Sequence, residues 1–384
     1  MTRYKASNNK YDIWFMVPNT WYAWVTYCFS TPITDGKYIY VATANNAVAA
    51  VDLNGKIAWQ VWEHLPGFKN DLGTAYTTSP VLMDGKLVVY HRNHVRAYEA
   101  ATGKKIWQHI DPNAVHGAGT NAKKRTPSNY NWRCPEASSP NVTRLKLPDG
   151  SLMPVVLDGF QLIWRLEDGA MVCNNMPQHW KGNTSITRDD VYLFVHDGDR
   201  QPEYCGTGVR LKAESRDKVT WEWLWKDPDR TCGSLTPVLV GDRFIARFNS
   251  GRQPSVSHEM LTGKTQPLFG GKSLGGNTSP IVAGNKFYAF HWGKEFSAEC
   301  NIGDLVSGEV ANVPVAVKDD RLSGTDDFAK IHWHTMCGYQ QNASPSAQAN
   351  RILYRARGVL WCIGDKTQRF PAPRDCPTQA RASK

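Results

Sequence analysis

Residues 78–108 read TSPVLMDGKLVVYHRNHVRAYEAATGKKIWQ, and the order of residue types in that stretch decides the fold. A Ser-Pro start leads into a short apolar strand and an Asp-Gly turn. A second apolar strand, a third strand, a Thr-Gly turn and a last strand carrying Trp107 follow. Asp-Gly and Thr-Gly recur because tight hairpins need residues that tolerate positive φ. Residues 30–60 repeat the plan, with Thr31-Pro32, Asp35-Gly36, the strand Tyr38–Ala42, the Asn54-Gly55 turn and Trp59. Four strands per unit is the pattern of a propeller blade.

Working outward, further starts stand at Ser139-Pro140, Thr236-Pro237, Ser279-Pro280 and Ser344-Pro345, and Ser185-Ile186 holds the equivalent place in a unit without the proline. The starts are 43 to 65 residues apart, as expected of blades joined by unequal loops. Helical periodicity is almost absent, so the expected fold is all-β: a seven-bladed propeller of four-stranded blades over residues 30–364. After the last start come two apolar strands, and the polar tail of residues 365–384 lacks an outer strand. Residues 1–29 form an N-terminal segment from which Tyr11 to Val17 is expected to supply that strand, closing the ring and removing both exposed edges.

Composition narrows the function classes. No run of apolar residues is long enough to span a bilayer. The formal net charge of +10 is scattered instead of forming a basic block, which suits an acidic ligand and disfavours nucleic acid. Nine cysteines without a CxxC, CxxCH or Cys/His zinc spacing argue against haem attachment and structural zinc. They fit disulfides in an oxidising compartment, and hence a periplasmic or secreted protein, although no export signal is visible. Cys205 with Cys232, and Cys300 with Cys337, are the pairs suggested by closeness in sequence. Neither GxSxG, P-loop, dinucleotide fingerprint nor HExxH occurs.

The stretches AYEAATGKKIW (97–107) and AAVDLNGKIAW (49–59), with the SPxVxxG starts, resemble the pyrroloquinoline-quinone (PQQ) repeat. Over residues 30–363 the chain resembles quinoprotein-like propeller proteins common in planctomycete-type bacteria. The resemblance implies a fold more than a function, because the repeat occurs both in quinone-dependent alcohol dehydrogenases and in a non-enzymatic outer-membrane assembly lipoprotein. It implies that the repeat tryptophans dock blades together. It also implies a test for the quinone: the dehydrogenases have eight blades and a vicinal disulfide, whereas no two cysteines are adjacent here and seven starts are found. Bound PQQ is therefore not expected.

In a blade whose innermost strand comes first, the loop between second and third strands and the loop to the next blade share one face. The tight turns share the other, so candidate site residues belong to the first face. Aligning the second strands puts His91, His196 and Arg247 at one equivalent position and Arg92, Asp197 and His291 at the next. Arg355 and Arg357 lie nearby in the last unit. Two long connections, residues 110–137 and 311–343, are expected to roof this funnel. They add Trp132 and Arg133, and His332, Trp333, His334 and Tyr339, a basic and aromatic mixture suited to an anionic ring or polymer. Each histidine has an equally plain reading as a partner of a neighbouring loop, and the tryptophans as loop anchors. His332 and His334 have a His-x-His spacing that suits zinc or copper, and His196 to Asp199 offers oxygen ligands for calcium, so a divalent metal stays open.

Three functions compete. The first is an extracytoplasmic propeller that binds an anionic or carbohydrate ligand, or another protein, without turnover. The second is a lyase-type enzyme on acidic polysaccharide, with His91, His196, His291, Arg247 and Tyr339 as catalytic candidates for proton abstraction and charge stabilisation. The third is a quinone- or metal-dependent oxidoreductase.

Overall fold

The computed structural model describes residues 2–5, 12–15, 30–43, 47–63, 79–91, 94–110, 140–157, 162–176, 184–195, 206–227, 237–246, 255–274, 280–292, 298–316, 346–348, 351–356 and 359–364. The described residues are almost entirely β, with a 3-10 turn at Phe269–Gly271.

Six four-stranded antiparallel sheets follow one another, each a simple meander in chain order. The first holds Ile33–Thr34, Tyr38–Ala42, Ala47–Asp52 and Ile57–Trp62; the second Val81–Met83, Lys86–His91, His94–Glu99 and Lys105–Ile110. The third holds Asn141–Lys146, Leu152–Leu157, Ile163–Arg165 and Met171–Cys173; the fourth Thr184–Arg188, Val191–Val195, Gly206–Ser215 and Lys218–Asp227. Val238–Val240, Arg243–Ala246, Val256–Glu259 and Thr265–Pro267 make the fifth, and Ile281–Ala283, Lys286–Trp292, Ala298–Asp304 and Val310–Ala316 the sixth. A seventh sheet has three strands, Ser346–Gln348, Arg351–Ala356 and Val359–Gly364. The first strands of the first four sheets lie side by side in order, as do those of the fifth, sixth and seventh.

Two expectations about boundaries change. Asp12–Phe15 is a strand, but it pairs with Thr2–Lys5 in a separate hairpin, and its addition to the seventh sheet is not among the described pairings. The sixth sheet claims Val310–Ala316, so the long connection begins after residue 316 and not at 311. Val313, read earlier as loop, pairs with Cys300 of Ala298–Asp304.

Alternation of side chains across each strand builds the core. In the second sheet Leu87 and Val89 point to the first sheet, where they bury Tyr40, Ala42, Val48 and Ala50. Val88 and Tyr90 point the other way, onto Val156, Leu162 and Trp164 of the third. Similar clusters join the third sheet to the fourth, the fourth to the fifth and the fifth to the sixth. Stacking both faces of consecutive sheets in chain order is propeller packing.

A recurring lock closes three of these junctions. Trp59, Trp107 and Trp225, on the last strands of the first, second and fourth sheets, donate their indole N–H to the carbonyls of Ala100, Leu166 and Met260 in the next sheet. These bonds measure 2.9, 3.0 and 2.8 Å. Each ring lies on a turn glycine three residues further on, Gly103, Gly169 and Gly263, where a Cβ would come within 2.5 to 2.7 Å of an indole or histidine atom. Those glycines have φ of 73°, 73° and 69°, so both conformation and space demand glycine. A one-residue bulge directly before each tryptophan, at Ala58, Ile106 and Leu224, turns its ring toward the following sheet.

The third sheet carries the same bulge at Val172, but Cys173 stands where the tryptophan would. Its thiol donates to Asn175 Oδ1 at 3.2 Å. The indole comes from the opposite side: Trp221 of the fourth sheet reaches back to the Asn175 carbonyl at 3.0 Å and meets Trp223 edge-on.

Candidate functional site

In every four-stranded sheet the hairpins between first and second strands and between third and fourth strands lie at one end. The second-to-third connection and the links between sheets leave from the other. At the first end several acids are held within their own turns. Asp35 accepts from the amides of Lys37 and Tyr38 and from the Tyr40 hydroxyl, and Asp304 accepts from Val306, Ser307 and Lys286. The Lys286 ammonium and these amides hold the Asp304 carboxyl down to about 2. Arg165 clamps Asp168 at 2.6 Å and Asp217 of the fourth sheet at 2.8 Å, and Asp168 is likewise held down to about 2.

Of the residues singled out from the sequence, three have a described backbone position. His91 ends the second strand of the second sheet and pairs with His94. His291 is the penultimate residue of the equivalent strand in the sixth sheet, opposite Glu299. Arg355 is penultimate in the seventh, opposite Leu360. Both His91 and His291 stand five residues after the first residue of their strand, Lys86 and Lys286, each following a two-residue hairpin. They are therefore equivalent, where alignment on the preceding Gly had set them one residue apart. The sixth sheet turns on Gly284-Asn285 and the second on Asp84-Gly85, which shifts that glycine by one. By the same count His196 stands five residues after Val191, and Arg247 four after Arg243, level with Arg355 four after Arg351. His196, Asp197, Arg92, Arg247, Trp132, Arg133, His332, Trp333, His334, Tyr339 and Arg357 lie outside the described residues.

The structure adds a polar cluster that the sequence reading missed. His94, Arg96 and Tyr98 alternate along one strand and so share the face directed at the first sheet. Arg96 is fully buried, and its guanidinium lies 3.7 Å from the Glu63 carboxylate. The same carboxylate accepts from Lys105 at 3.1 Å and from the Tyr98 hydroxyl at 3.3 Å. Lys105 also donates to Gln108, whose amide nitrogen lies 3.5 Å from His94 Nδ1. Burial, and then Glu63 against the opposing charge of Arg96, pushes the Tyr98 phenol above its usual range. A buried guanidinium is tolerable only with a counter-charge, so Glu63 ties the first sheet to the second. The signal in the sequence was a His-x-Arg-x-Tyr alternation on what would otherwise be a core face.

Two cysteines are described in detail. Cys300 is a free, buried thiol that burial pushes up to about 12, and Cys337, the partner suggested by closeness in sequence, lies outside the described residues. Cys173 is a buried thiol as well, and Cys205 and Cys232 also lie outside the described residues. Among the described residues no three His, Cys, Asp or Glu side chains converge as a metal site. The two acids with strongly lowered pKa, Asp168 and Asp304, are committed to turns and ion pairs. No helix among the described residues is long and apolar enough to cross a membrane.

Three comparisons bear on these features. No curated protein matches the chain. Among solved structures it is similar to BamB from Moraxella catarrhalis, with 13% identity, 89% of this chain and 85% of that chain covered, and a TM-score of 0.48. It is also similar to the computationally designed Ika8 protein, with 9% identity, 89% and 99% covered, and a TM-score of 0.43. The WD40 domain of SCAP from fission yeast matches at 9% identity over 77% and 76%, with a TM-score of 0.38. A family profile matches residues 21–127, the stretch that contains the two repeat units with the Trp59 and Trp107 locks. Those units are PQQ-type repeats, similar to the family described as outer membrane protein assembly factor BamB.

Proposed function

We propose that the chain is a seven-bladed propeller acting as an extracytoplasmic binding scaffold, which engages an anionic ligand, carbohydrate or protein-borne, at the end of the sheets that carries the long connections. Ring closure would bury an apolar face of the first sheet. Its face toward the second sheet is buried, whereas on its other face Ile39 and Ile57, both cross-strand partners of Val51, are 37% and 54% exposed. The three-stranded seventh sheet is the element that such an apolar row would receive. Asp12–Phe15, with Trp14 preceded by Ile13 as Trp107 is preceded by Ile106, is the candidate for its missing strand.

The observation that carries the binding reading is the unequal chemistry of the two ends. At the tight-turn end Asp35, Asp168 and Asp304 are held by neighbouring amides, a hydroxyl and cations. Counted along the sequence from the first residues of the second strands of alternate sheets, His91, His196 and His291 share one offset, with Arg247 and Arg355 one residue earlier. With a net charge of +10, such a ring suits carboxylate or sulfate groups. The name of the family matched by residues 21–127 adds support for a scaffold over an enzyme.

The test is binding of polygalacturonate and of heparin to the whole protein at 50 and 300 mM salt, with absorbance of unsaturated product followed in parallel. The expected result is salt-sensitive binding that His196→Ala combined with His291→Ala weakens at least tenfold, with no product. Equal binding by the double variant would remove the histidine ring from the site. Product formation would turn the reading to the lyase, with His91, His196, His291, Arg247 and Tyr339 as its catalytic candidates.

A further inference from the structure

The junction between the second and third sheets contains a titratable group in an unusual position. His109, on the last strand of the second sheet, stacks on Trp164 of the third with ring centroids 4.9 Å apart and planes 10° from parallel. Trp107, which makes the lock at this junction, lies 5.7 Å from it on the same strand. His109 Nε2 is buried and has no hydrogen-bond partner among the described residues. It lies so close to Gly169 that a Cβ there would come within 2.6 Å of it. A neutral imidazole tolerates this seat as a flat aromatic ring. An imidazolium would hold a second N–H donor against a turn backbone, with no acceptor for it among the described residues.

We propose that this junction is an acid-sensitive latch, in which protonation of His109 loosens the docking of the second sheet onto the third and exposes Trp107 and Trp164. Burial lowers the affinity of His109 for a proton, and Asp168 of the third sheet partly opposes this. Asp168 is itself clamped by Arg165, which also holds Asp217 of the fourth sheet, so its charge is largely committed elsewhere. On the strand of His109 itself, Lys105 is engaged with Glu63 toward the first sheet. The sign follows from linkage. The folded junction binds the proton more weakly than the opened one. Its stability is therefore full above the ordinary histidine value and falls as pH drops through that value toward the folded one. One proton limits the change in the opening constant to about tenfold per pH unit over that interval.

Two measurements on the whole protein test the latch. The urea midpoint is compared at pH 7.5 and pH 5.0 for the native chain and for His109→Phe, which keeps a stacked ring and removes the titration. The expected result is a drop on acidification that is smaller in His109→Phe, and an equal drop in both overturns the latch. Should the phenylalanine variant fail to fold, NMR titration of the His109 ring protons in the native chain decides. Half-protonation below pH 6.5 is expected, and half-protonation at or above that value overturns the proposal.

Discussion

The junction between the second and third sheets and the junction between the third and fourth solve one packing problem in opposite directions. In the former, Trp107 reaches forward from a bulged outer strand, donates to Leu166 and presses on Gly169. In the latter the bulge is retained but Cys173 is too small to reach, and Trp221 reaches backward from a ten-residue strand to Asn175. The corresponding turn of the fourth sheet, residues 215–218, has no glycine. In each of these two junctions one indole donates to a backbone carbonyl of the other sheet, Trp107 forward to Leu166 and Trp221 backward to Asn175. The same strand can serve both directions because the bulge at Leu224 divides it. Trp221 and Trp223 pack toward the third sheet, and Trp225 beyond the bulge packs toward the fifth.

The largest expected effect separates the two kinds of indole. Trp107→Ala removes a buried ring and its hydrogen bond together and should destabilise by about 3–5 kcal/mol. Trp221→Ala, at a half-buried position, should lose about half as much. Urea midpoints measure both, and equal losses would break the distinction between forward and reverse junctions.

Glycine gives the next contrast. Gly263→Ala brings a Cβ within 2.5 Å of the Trp225 ring at a positive φ and should destabilise by about 2–5 kcal/mol, from overpacking and backbone strain together. Gly85→Ala has the same backbone strain but open space, and should lose only about 1–2 kcal/mol. A similar loss at both positions would mean that the tryptophan contact adds nothing to the demand for glycine.

These contrasts also mark what could be read from the sequence. Residues 78–108 yielded their four strands in place because turn chemistry and apolar runs agree at every step. The docking role of the tryptophans was legible from the repeat. That Gly103 and Gly169 serve the rings as well as the turns was not, since the ring comes from a sheet more than forty residues earlier or later in the chain. Cys173 was invisible as a tryptophan substitute because a bulge shifts the register by one residue and leaves no mark in composition. His291 was misaligned for a similar reason: Gly-Asn and Asp-Gly hairpins have the same length with the glycine at different places. Arg96 was passed over because a polar residue on a strand reads as solvent-facing until both faces of the sheet are known to be covered.

A smaller effect is expected from the hydrogen bonds alone. Trp107→Phe keeps most of the ring and leaves the Leu166 carbonyl without its donor in a buried setting, which should destabilise by about 1–3 kcal/mol. Trp221→Phe should lose less, because its contact with Asn175 is more open to water. A double variant with Asn175→Ala would sharpen the point: near-additive losses are expected only if the indole bonds chiefly to the Asn175 backbone and not to its side chain.

The smallest effect belongs to the charges that bridge the same two junctions at the tight-turn end. Arg165 sits between the sheets, contacting Asp168 in its own turn and Asp217 and the Arg216 carbonyl in the next. Asp217 is 84% exposed and Asp168 half-exposed, so water and salt screen most of the attraction. Arg165→Gln should therefore change stability by no more than about 1 kcal/mol at low salt, and by nothing measurable in 1 M salt. Asp168 has its folded carboxyl held below the unfolded value. Whatever it contributes is present above the ordinary carboxylate range and lost as pH falls toward about 2, the same direction as the histidine latch beside it but in a lower pH window. Urea midpoints of Arg165→Gln at pH 3 and pH 7 check this, because the difference from the native chain should shrink at the lower pH. A difference that stays the same would mean that Arg165 holds the junction through the Arg216 carbonyl, a contact that acid does not touch.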